Sequence, residues 1–362
     1  MGSKKFSTLR RLNRQKNYFF KRVKFAIAKF FIDSIYRKSF SLKKDPKVLF
    51  LRDDNKIGDM VVSTSILRQL KNNGYSVDIV SGNNNFCVIE YSDLYNKNYT
   101  YEEKFFSIIK LALRLRKERY DLIIDMGELL PISYLLFIRI IDAKNAVGFN
   151  KKGIKVYNLN IDYNEYKSHI IERYKKMLNI LNVPFDELKY EITIPYVVDD
   201  KIKSFINNLP YKKTVVINPF SASEKRDISR EQLLFIISYF KEYKVNIIFI
   251  GKQNDLKSLQ FENIVSNPIG SFISASAIIK YADLVITPDT SIVHVATTFD
   301  KPTLALYGND YHGLYVNNYQ WSPNNKKAIQ VTQDKVDSKV SEISTDVIKS
   351  KLDILVGKYL CQ

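Results

Sequence analysis

The segment Pro288-Asp289-Thr290-Ser291-Ile292-Val293-His294-Val295-Ala296, followed by Lys301-Pro302-Thr303-Leu304-Ala305-Leu306-Tyr307-Gly308, is the most informative part of the chain. It predicts a strand, a tight polar turn, a helix and a second strand. Asp289, Thr290 and Ser291 stand where the helix begins. Backbone N–H groups and the positive end of the helix dipole point outward there, and both attract phosphate. Asp and Thr are also ordinary helix caps, so a purely structural role stays open.

Short apolar runs alternate with helical patterns through both halves of the chain. The runs predict strands at Val48–Leu51, Val77–Val80, Leu122–Ile124 and Ala146–Gly148, and then at Thr214–Ile217, Val245–Ile250, Leu284–Ile286 and Thr303–Leu306. Such alternation is typical of a parallel sheet with helices on both faces. We therefore predict an α/β protein with two Rossmann-like, doubly wound domains facing a central cleft, where ligands bind at the carboxyl ends of the strands.

The domain boundaries follow from length and composition. A chain of 362 residues exceeds the ~250–300 residues at which a single core stops growing. We predict a basic arm over residues 1–45, an N-terminal domain over 46–205 and a C-terminal domain over 206–362. The segment 183–210 mixes prolines, acids and short apolar pairs, and we place the domain junction near its end.

The basic arm holds most of the charge of the chain. Residues 1–44 contain 14 Lys or Arg against one acid, Asp33, and so carry +13 of the formal +18. Apolar residues recur there at helical spacing, namely Phe20, Val23, Ile27, Phe30, Phe31 and Ile35. Frequent charges argue against a transmembrane span or a signal peptide. Two interpretations stay open, a helix lying on an anionic membrane leaflet and a helix packed on the body.

Several classes of protein fit the composition poorly. Cys87 and Cys361 are too few and too far apart for a disulfide framework, and the three histidines match no zinc pattern. We expect a reduced, cytosolic location, no cofactor and no metal site. No glycine-rich phosphate loop or serine nucleophile elbow is present. Beyond the arm no basic patch is interleaved with aromatic residues, so we expect no nucleic-acid partner.

The run Leu51-Arg52-Asp53-Asp54-Asn55-Lys56-Ile57-Gly58-Asp59 leaves a strand through a polar loop and enters a helix. Gly58 allows a close backbone approach. A carboxylate at Asp59 could accept a proton from an attacking hydroxyl, and it could equally be a helix N-cap. Asp53 and Asp54 are interpreted as solvated loop acids.

The loop Asn218-Pro219-Phe220-Ser221-Ala222-Ser223-Glu224-Lys225-Arg226 follows another predicted strand. Its small polar residues and two cations suit an anionic ligand, and Lys225 would act as a compact charge on a leaving diphosphate. Alternatively, the cations pair with Glu224 and Asp227. His294, one turn into its helix, either contacts a ligand or is a structural residue. The loop 308–313 could close over a sugar.

Taken in order, three motifs resemble glycosyltransferase family 9, which contains the bacterial lipopolysaccharide heptosyltransferases. Ile57-Gly58-Asp59 resembles the family's Ile/Met-Gly-Asp triplet, and Asn218–Arg226 resembles its second-domain loop with Lys225 at the lysine position. Ile269–Gly308 resembles its closing signature of an Asp-Thr-Gly/Ser turn, a His and a Pro-Thr strand. Asp227-Ile228 stand where the family often has Trp-Pro, and Ser291 replaces the commoner glycine.

The resemblance implies the two-Rossmann architecture called GT-B, with an acceptor domain followed by a nucleotide-sugar domain. It implies an inverting, metal-independent transfer of heptose from ADP-heptose to a lipopolysaccharide or lipooligosaccharide inner-core acceptor. Asp59 would be the general base. The residues implied in donor binding are Gly58, Ser221, Ser223, Lys225, Asp289, Thr290, Ser291 and His294.

An anionic, lipid-linked acceptor would suit a bacterial enzyme held peripherally on the inner face of the cytoplasmic membrane through residues 1–44. Two alternatives remain open. One keeps the fold and mechanism with a hexose or N-acetylhexosamine donor. The other is a catalytically inactive, membrane-associated scaffold.

Overall fold

The computed structural model describes residues 29–34, 37–127, 130–259, 261, 265–309, 311–312 and 315–361, in two compact units. The first unit contains the described residues up to Asn55 with Leu70–Asn83 and Tyr95–Tyr163. The second contains Lys56–Gln69, Asn84–Leu94 and the described chain from Asn164 onward. Most of the predicted arm helix, including Phe20, Val23, Ile27 and Ile35, lies outside the described residues.

A six-stranded parallel sheet forms the centre of the first unit. Its strands are β1 (Lys47–Arg52), β2 (Ser76–Ser81), β3 (Lys97–Thr100), β4 (Leu122–Asp125), β5 (Asn145–Phe149) and β6 (Leu159–Ile161), in the order β3-β2-β1-β4-β5-β6. Helices α2 (Phe105–Lys117) and α3 (Ile132–Ile141) belong to this unit, whereas α1 (Ile57–Asn72), which connects β1 to β2, lies mostly in the second unit. The order reverses between β1 and β4, as in a doubly wound sheet, and the central strands are apolar because both of their faces are covered.

A second six-stranded parallel sheet lies in the second unit. Its strands are β7 (Lys213–Ile217), β8 (Val245–Phe249), β9 (Val265–Ser266), β10 (Leu284–Pro288), β11 (Thr303–Tyr307) and, at one edge, β14 (Ala328–Thr332). Their order is β14-β11-β10-β7-β8-β9. The short strands β12 (Tyr311–His312) and β13 (Tyr315–Val316) pair antiparallel with each other. The two parallel sheets confirm the predicted α/β class.

The helices of the second unit cover this sheet and supply its loops. They are α4 (Ile171–Ile180), α5 (Tyr196–Asn207), α6 (Arg230–Phe240), α7 (Gln253–Lys257), α8 (Phe272–Tyr281), α9 (Ser291–Thr298), α10 (Asn317–Gln320) and α11 (Thr345–Tyr359). Short 3₁₀ turns span Phe86–Val88, Glu224–Arg226 and Val340–Glu342. Strand residues such as Ile217, Ile286 and Leu306 form one buried core with residues of α6 and α11. This core fixes the carboxyl ends of β7, β10 and β11, from which the candidate site is built.

Residues 183–210, near whose end the sequence places the domain junction, contain helix α5. Pro195 stands at its N-cap, where a residue that lacks an N–H is tolerated. Tyr196 and Val197 are largely exposed, and Ile202 is the fully buried residue of the helix. The segment therefore lacks the continuous apolar stripe by which helices are recognised in a sequence.

Among the described residues, no helix combines the length and the apolar character that are needed to cross a bilayer.

Candidate functional site

The turn between β10 and α9 is held by a helix cap. Thr290 has extended backbone angles, and its Oγ1 accepts a hydrogen bond from the Ile292 N–H at 3.2 Å. In this turn it is therefore the Thr290 hydroxyl that caps the helix. Ser291 is the first residue of the helix and is half-buried. Within the described chain its backbone N–H and hydroxyl have no hydrogen-bond partner, so both are available to an anion at the positive end of the helix.

A buried polar network supports this cap from the neighbouring strand. The Asn218 side-chain amide, just beyond β7, donates to Thr287 Oγ1 and to Thr290 Oγ1, at 3.1 Å each. The two threonine hydroxyls lie 3.1 Å apart. Because Asn218 and Thr287 are buried, these hydrogen bonds fix the start of α9 against two adjacent strand ends.

Asp289 holds a cation at the same turn. Arg226 Nη1 donates to Asp289 Oδ2 at 3.1 Å, and the Asn317 side-chain amide donates to the same oxygen at 2.5 Å. The Asp289 side chain is 9% exposed and that of Arg226 is 27% exposed. The alternative in which Arg226 pairs with Glu224 or Asp227 is therefore wrong. These two hydrogen bonds hold the Arg226 guanidinium at the turn before α9.

The loop after β7 is stabilised by its own serines. The Ser221 N–H donates to Asp227 Oδ1 at 2.6 Å, and Ser221 Oγ donates to the Ser223 carbonyl oxygen at 2.6 Å. The Ser223 N–H returns a hydrogen bond to Ser221 Oγ at 3.0 Å. Lys225 is exposed and makes no hydrogen bond or ion pair with any residue that the structure describes. The side chain of Lys225 is thus exposed, whereas Ser221 and Ser223 hydrogen-bond within the loop.

Helix α1 packs its first turn against α9, which lies more than 230 residues away in the sequence. A Cβ atom on Gly58 would stand 3.2 Å from His294 Cδ2 and 3.4 Å from Ser291 Cα. Only a residue without a side chain allows this approach without displacing either neighbour. Gly58 therefore brings the Ile57-Gly58-Asp59 motif into contact with the helix that follows the Asp289-Thr290-Ser291 turn.

His294 is an uncharged residue of this contact. It is buried, its ring meets the rings of Tyr190 and Trp321 edge to face, and its Nδ1 atom has no hydrogen-bond partner among the described residues. Burial, with a smaller contribution from His169, lowers the pKa of His294 to about 3. His294 therefore brings no positive charge to the site at neutral pH.

Asp59 lies in the first turn of α1, beside the Gly58 contact. The helix begins at Ile57, so Asp59 is inside it and is not the N-cap. Its side chain is half-buried, and its backbone carbonyl accepts a hydrogen bond from Ser63 Oγ at 2.7 Å. Ser63 Oγ in turn lies 3.1 Å from the Tyr174 hydroxyl, which ties this turn to α4.

Asp53 is not the solvated loop acid that the sequence suggested. It is half-buried in the first unit, and the Tyr134 hydroxyl donates to its Oδ1 at 3.0 Å. Burial, with a smaller contribution from the Asp125 carboxylate, raises the pKa of Asp53 to about 6. Asp54, its exposed neighbour, lies 3.4 Å from Arg52.

The described residues contain no group of three or more His, Cys, Asp or Glu side chains placed to hold a metal ion. Of the loop 308–313, Asp310 and Gly313 lie outside the described residues, and so its predicted closing role is not addressed by the structure.

Comparisons with known proteins agree on one family. A model described as glycosyltransferase family 9 (heptosyltransferase) matches residues 108–346. A protein of Escherichia coli (strain K12) named "Putative lipopolysaccharide heptosyltransferase 4" is 29% identical over 326 residues, which cover 84% of this chain and 85% of that protein.

Two solved structures show the same fold. The glycosyl transferase family 9 protein of Veillonella parvula DSM 2008 matches with a TM-score of 0.75 at 17% identity, over 89% of this chain and 100% of its own. The E. coli ADP-heptose lipopolysaccharide heptosyltransferase II matches with a TM-score of 0.69 at 14% identity, over 86% and 99%. The predicted GT-B architecture of two parallel-sheet α/β domains is confirmed.

Proposed function

Since the chain belongs to glycosyltransferase family 9, we propose that it transfers a heptose from ADP-heptose to an acceptor of the lipopolysaccharide inner core. The packing of Gly58 on Ser291 and His294 is the observation that carries this proposal, because it sets Asp59 beside the start of α9. A general base and an anion-binding helix terminus then stand next to each other. An inverting sugar transfer that releases a diphosphate requires both. The names of the relatives supply the sugar, the nucleotide and the lipid.

In this proposal the ADP diphosphate lies at the N-terminus of α9. The Ser291 N–H and hydroxyl and the Lys225 ammonium contact it directly, and Arg226 adds a second positive charge that Asp289 holds in place. Thr290, Ser221 and Ser223 maintain the backbone of the two loops. The negative charge that develops on the leaving diphosphate is then met by fixed donors, without a metal ion.

Asp59 acts on the acceptor. Its carboxylate takes the proton of the attacking hydroxyl as the new bond to the anomeric carbon forms on the face opposite the leaving diphosphate. Attack from that face inverts the anomeric configuration. Gly58 and His294 keep the first turn of α1 against α9 and thereby set the position of the base relative to the donor.

The remaining predictions complete the proposal. We assign the acceptor to an N-terminal domain over residues 46–205 and the donor to a C-terminal domain over 206–362. The acceptor is an anionic, lipid-linked oligosaccharide. Residues 1–44, with their net charge of +13, hold the enzyme peripherally on the inner, cytoplasmic leaflet of the membrane.

The nucleotide preference is tested by thermal unfolding of the full-length protein with ADP, ADP-heptose, UDP-N-acetylglucosamine and GDP-mannose in turn. A ligand at ~100 times its Kd stabilises the folded state by about 2.7 kcal/mol, so the unfolding midpoint rises measurably. We expect a rise with the two adenine nucleotides alone. Lys225→Ala should reduce it, whereas Lys257→Ala, at another exposed lysine, should not.

A rise confined to UDP-N-acetylglucosamine or GDP-mannose would show that the donor is that nucleotide sugar and not ADP-heptose. Such a result would agree with Asp227-Ile228 standing near the loop where the family often has Trp-Pro. No rise with any of the four would contradict the proposed donor site.

A further inference from the structure

Helix α2 of the first unit exposes aromatic side chains to solvent. Its buried face consists of Ile108, Ala112 and Leu115, which pack into the core of that unit. On its other faces Phe105 is 56% exposed and Phe106 is 85% exposed. Their rings meet edge to face with centroids 5.7 Å apart, and Leu113 is exposed as well. Single exposed apolar residues are ordinary, but an aromatic pair and a leucine on one short helix form a patch.

The same helix is strongly basic. Its sequence FFSIIKLALRLRK contains four cations, namely Lys110, Arg114, Arg116 and Lys117, and no acid. Glu102 and Glu103 precede its N-terminal end. Phe106, Lys110, Leu113 and Lys117 follow one another at intervals of four, three and four residues, so they line a single outward stripe. An outward face that mixes exposed apolar and basic side chains is typical of a helix that lies in a membrane interface.

Two of these cations also have partners within the protein. Arg116 lies 3.5 Å from Asp142, and the Arg114 guanidinium stacks 5.0 Å from the Tyr99 ring. Lys110 and Lys117 make no hydrogen bond or ion pair with any described residue, and both are exposed. The two lysines of the outward stripe are therefore available to an anionic surface.

The described end of the basic arm packs against the same hydrophobic core as this helix. Ile32 packs on the core cluster to which Leu111 of α2 and Ile140 of α3 also belong. Asp33 is buried and accepts hydrogen bonds from the N–H groups of Lys155 and Val156, at 2.7 Å each. These contacts fix the chain that follows the arm to the same unit as α2.

Residues on both sides of this anchor are described as well. Just before it, Phe30 and Phe31 are exposed, with their rings edge to face. Beyond it, Arg37 donates to the carbonyl oxygens of Ala143 and Val156. Asp142 raises the pKa of Arg37, although burial lowers it more, and the same Asp142 lies 3.5 Å from Arg116 of α2.

We propose that α2 is a second membrane-contact element, which inserts Phe105, Phe106 and Leu113 into an anionic bilayer surface while Lys110 and Lys117 meet the lipid phosphates. The inference deepens the proposed membrane-side function, in which only residues 1–44 contact the leaflet. Two separate contacts with the bilayer would restrict the orientation of this unit to the membrane more than one contact does. Charge complementarity selects the occupant, because the helix has cations and no acids.

Sedimentation of the full-length protein with vesicles of phosphatidylcholine and phosphatidylglycerol tests this surface. The variant Phe105→Ser/Phe106→Ser keeps the arm and all of its charges. We expect its partition coefficient to fall by about tenfold or more, since two aromatic rings no longer enter the interface. Lys110→Glu/Lys117→Glu should weaken binding to these vesicles by a similar factor. The difference from pure phosphatidylcholine vesicles should narrow but persist, because the arm keeps its net charge of +13.

Helix α5 supplies a matched control. Tyr196 is 80% exposed and Val197 is 76% exposed, but Asp199 and Asp200 balance the lysines of that helix. Tyr196→Ser/Val197→Ser should therefore bind vesicles like the unaltered protein. Equal binding by the α2 aromatic variant and the unaltered protein would overturn the inference. So would a loss of self-association in that variant without any change in vesicle binding, since the partner would then be a second copy of the chain.

The ADP-induced shift in unfolding midpoint separates this inference from the proposed function. The α2 variants should retain the shift of the unaltered protein, because α2 lies outside the donor site. Vesicle binding that depends on Phe105 and Phe106 without any nucleotide shift would support α2 as a membrane element and contradict the proposed donor. A normal nucleotide shift, together with vesicle binding that does not depend on Phe105 and Phe106, would support the proposed donor and contradict the membrane role of α2.

Discussion

Replacement of Asp59 by asparagine is expected to lower kcat for sugar transfer by about 10²–10⁴-fold, the range that a positioned general base contributes. Asparagine preserves the size of the side chain and cannot accept the proton of the acceptor hydroxyl. The first turn of α1 is held by Gly58 against α9 and by Ser63 against α4, so the fold should persist. The rate is measured as ADP release under saturating donor and acceptor, and ADP affinity should be unchanged because the diphosphate lies at α9.

The control for this change is Asp255→Asn, an exposed aspartate in the first turn of α7. It repeats the chemical substitution at a similar helical position away from the site, and it should leave kcat at the unaltered value. Full turnover by Asp59→Asn would contradict the assignment of the base. A loss of both turnover and ADP affinity would instead indicate that Asp59 maintains the donor site.

Replacement of Asp289 by asparagine is expected to reduce both stability and ADP affinity, because this buried carboxylate accepts hydrogen bonds from Arg226 and Asn317. Removing one partner of a fully buried charge pair costs roughly 2–5 kcal/mol. Since Arg226 is 27% exposed, water compensates in part, and we expect a loss of about 1–3 kcal/mol in the free energy of unfolding. Thermal unfolding measures it, at roughly 2–4 °C per kcal/mol for a unit of this size.

A double-mutant cycle with Arg226→Met separates positioning from direct binding. If Asp289 acts through Arg226, then Asp289→Asn/Arg226→Met should bind ADP as Arg226→Met alone does, and the two stability losses should not add. Additive losses of ADP affinity would show that Asp289 contacts the nucleotide independently. Ser258→Ala serves as the control substitution, at an exposed residue whose hydroxyl bonds only the carbonyl of Asp255.

The central strands and the main motifs could be predicted because they are encoded locally. Four central strands are short apolar runs because other elements cover both of their faces, namely β1, β4, β7 and β10. Such runs can be recognised in a sequence. The polar turn before α9 and the glycine before Asp59 are equally local. The edge strands were harder to predict. β3, with the sequence KNYT, is mostly polar and half-exposed, and so it carries no apolar run.

The pairing of side chains could not be predicted, because it depends on contacts between distant segments. Arg226 pairs with Asp289 across 63 residues, although Asp227 and Glu224 are nearer in the sequence. Asp53 is drawn into the first unit by Tyr134, 81 residues away, and burial then raises its pKa. His294 similarly depends on Tyr190, Trp321 and Gly58 for its surroundings. In each case the residue type is compatible with several roles. The contacts that the residue makes in the folded protein determine which of these roles it has.

The most direct test of the account is a transfer reaction with ADP-heptose and lipopolysaccharide from cells that lack heptose. We expect ADP and lipid-linked heptose to form in equal amounts, with the anomeric configuration opposite to that of the donor. Both should form about 10²–10⁴-fold more slowly in Asp59→Asn. Transfer from another nucleotide sugar, with none from ADP-heptose, would contradict the proposed donor. Absence of transfer from any nucleotide sugar by a folded protein that binds ADP would contradict the proposed acceptor.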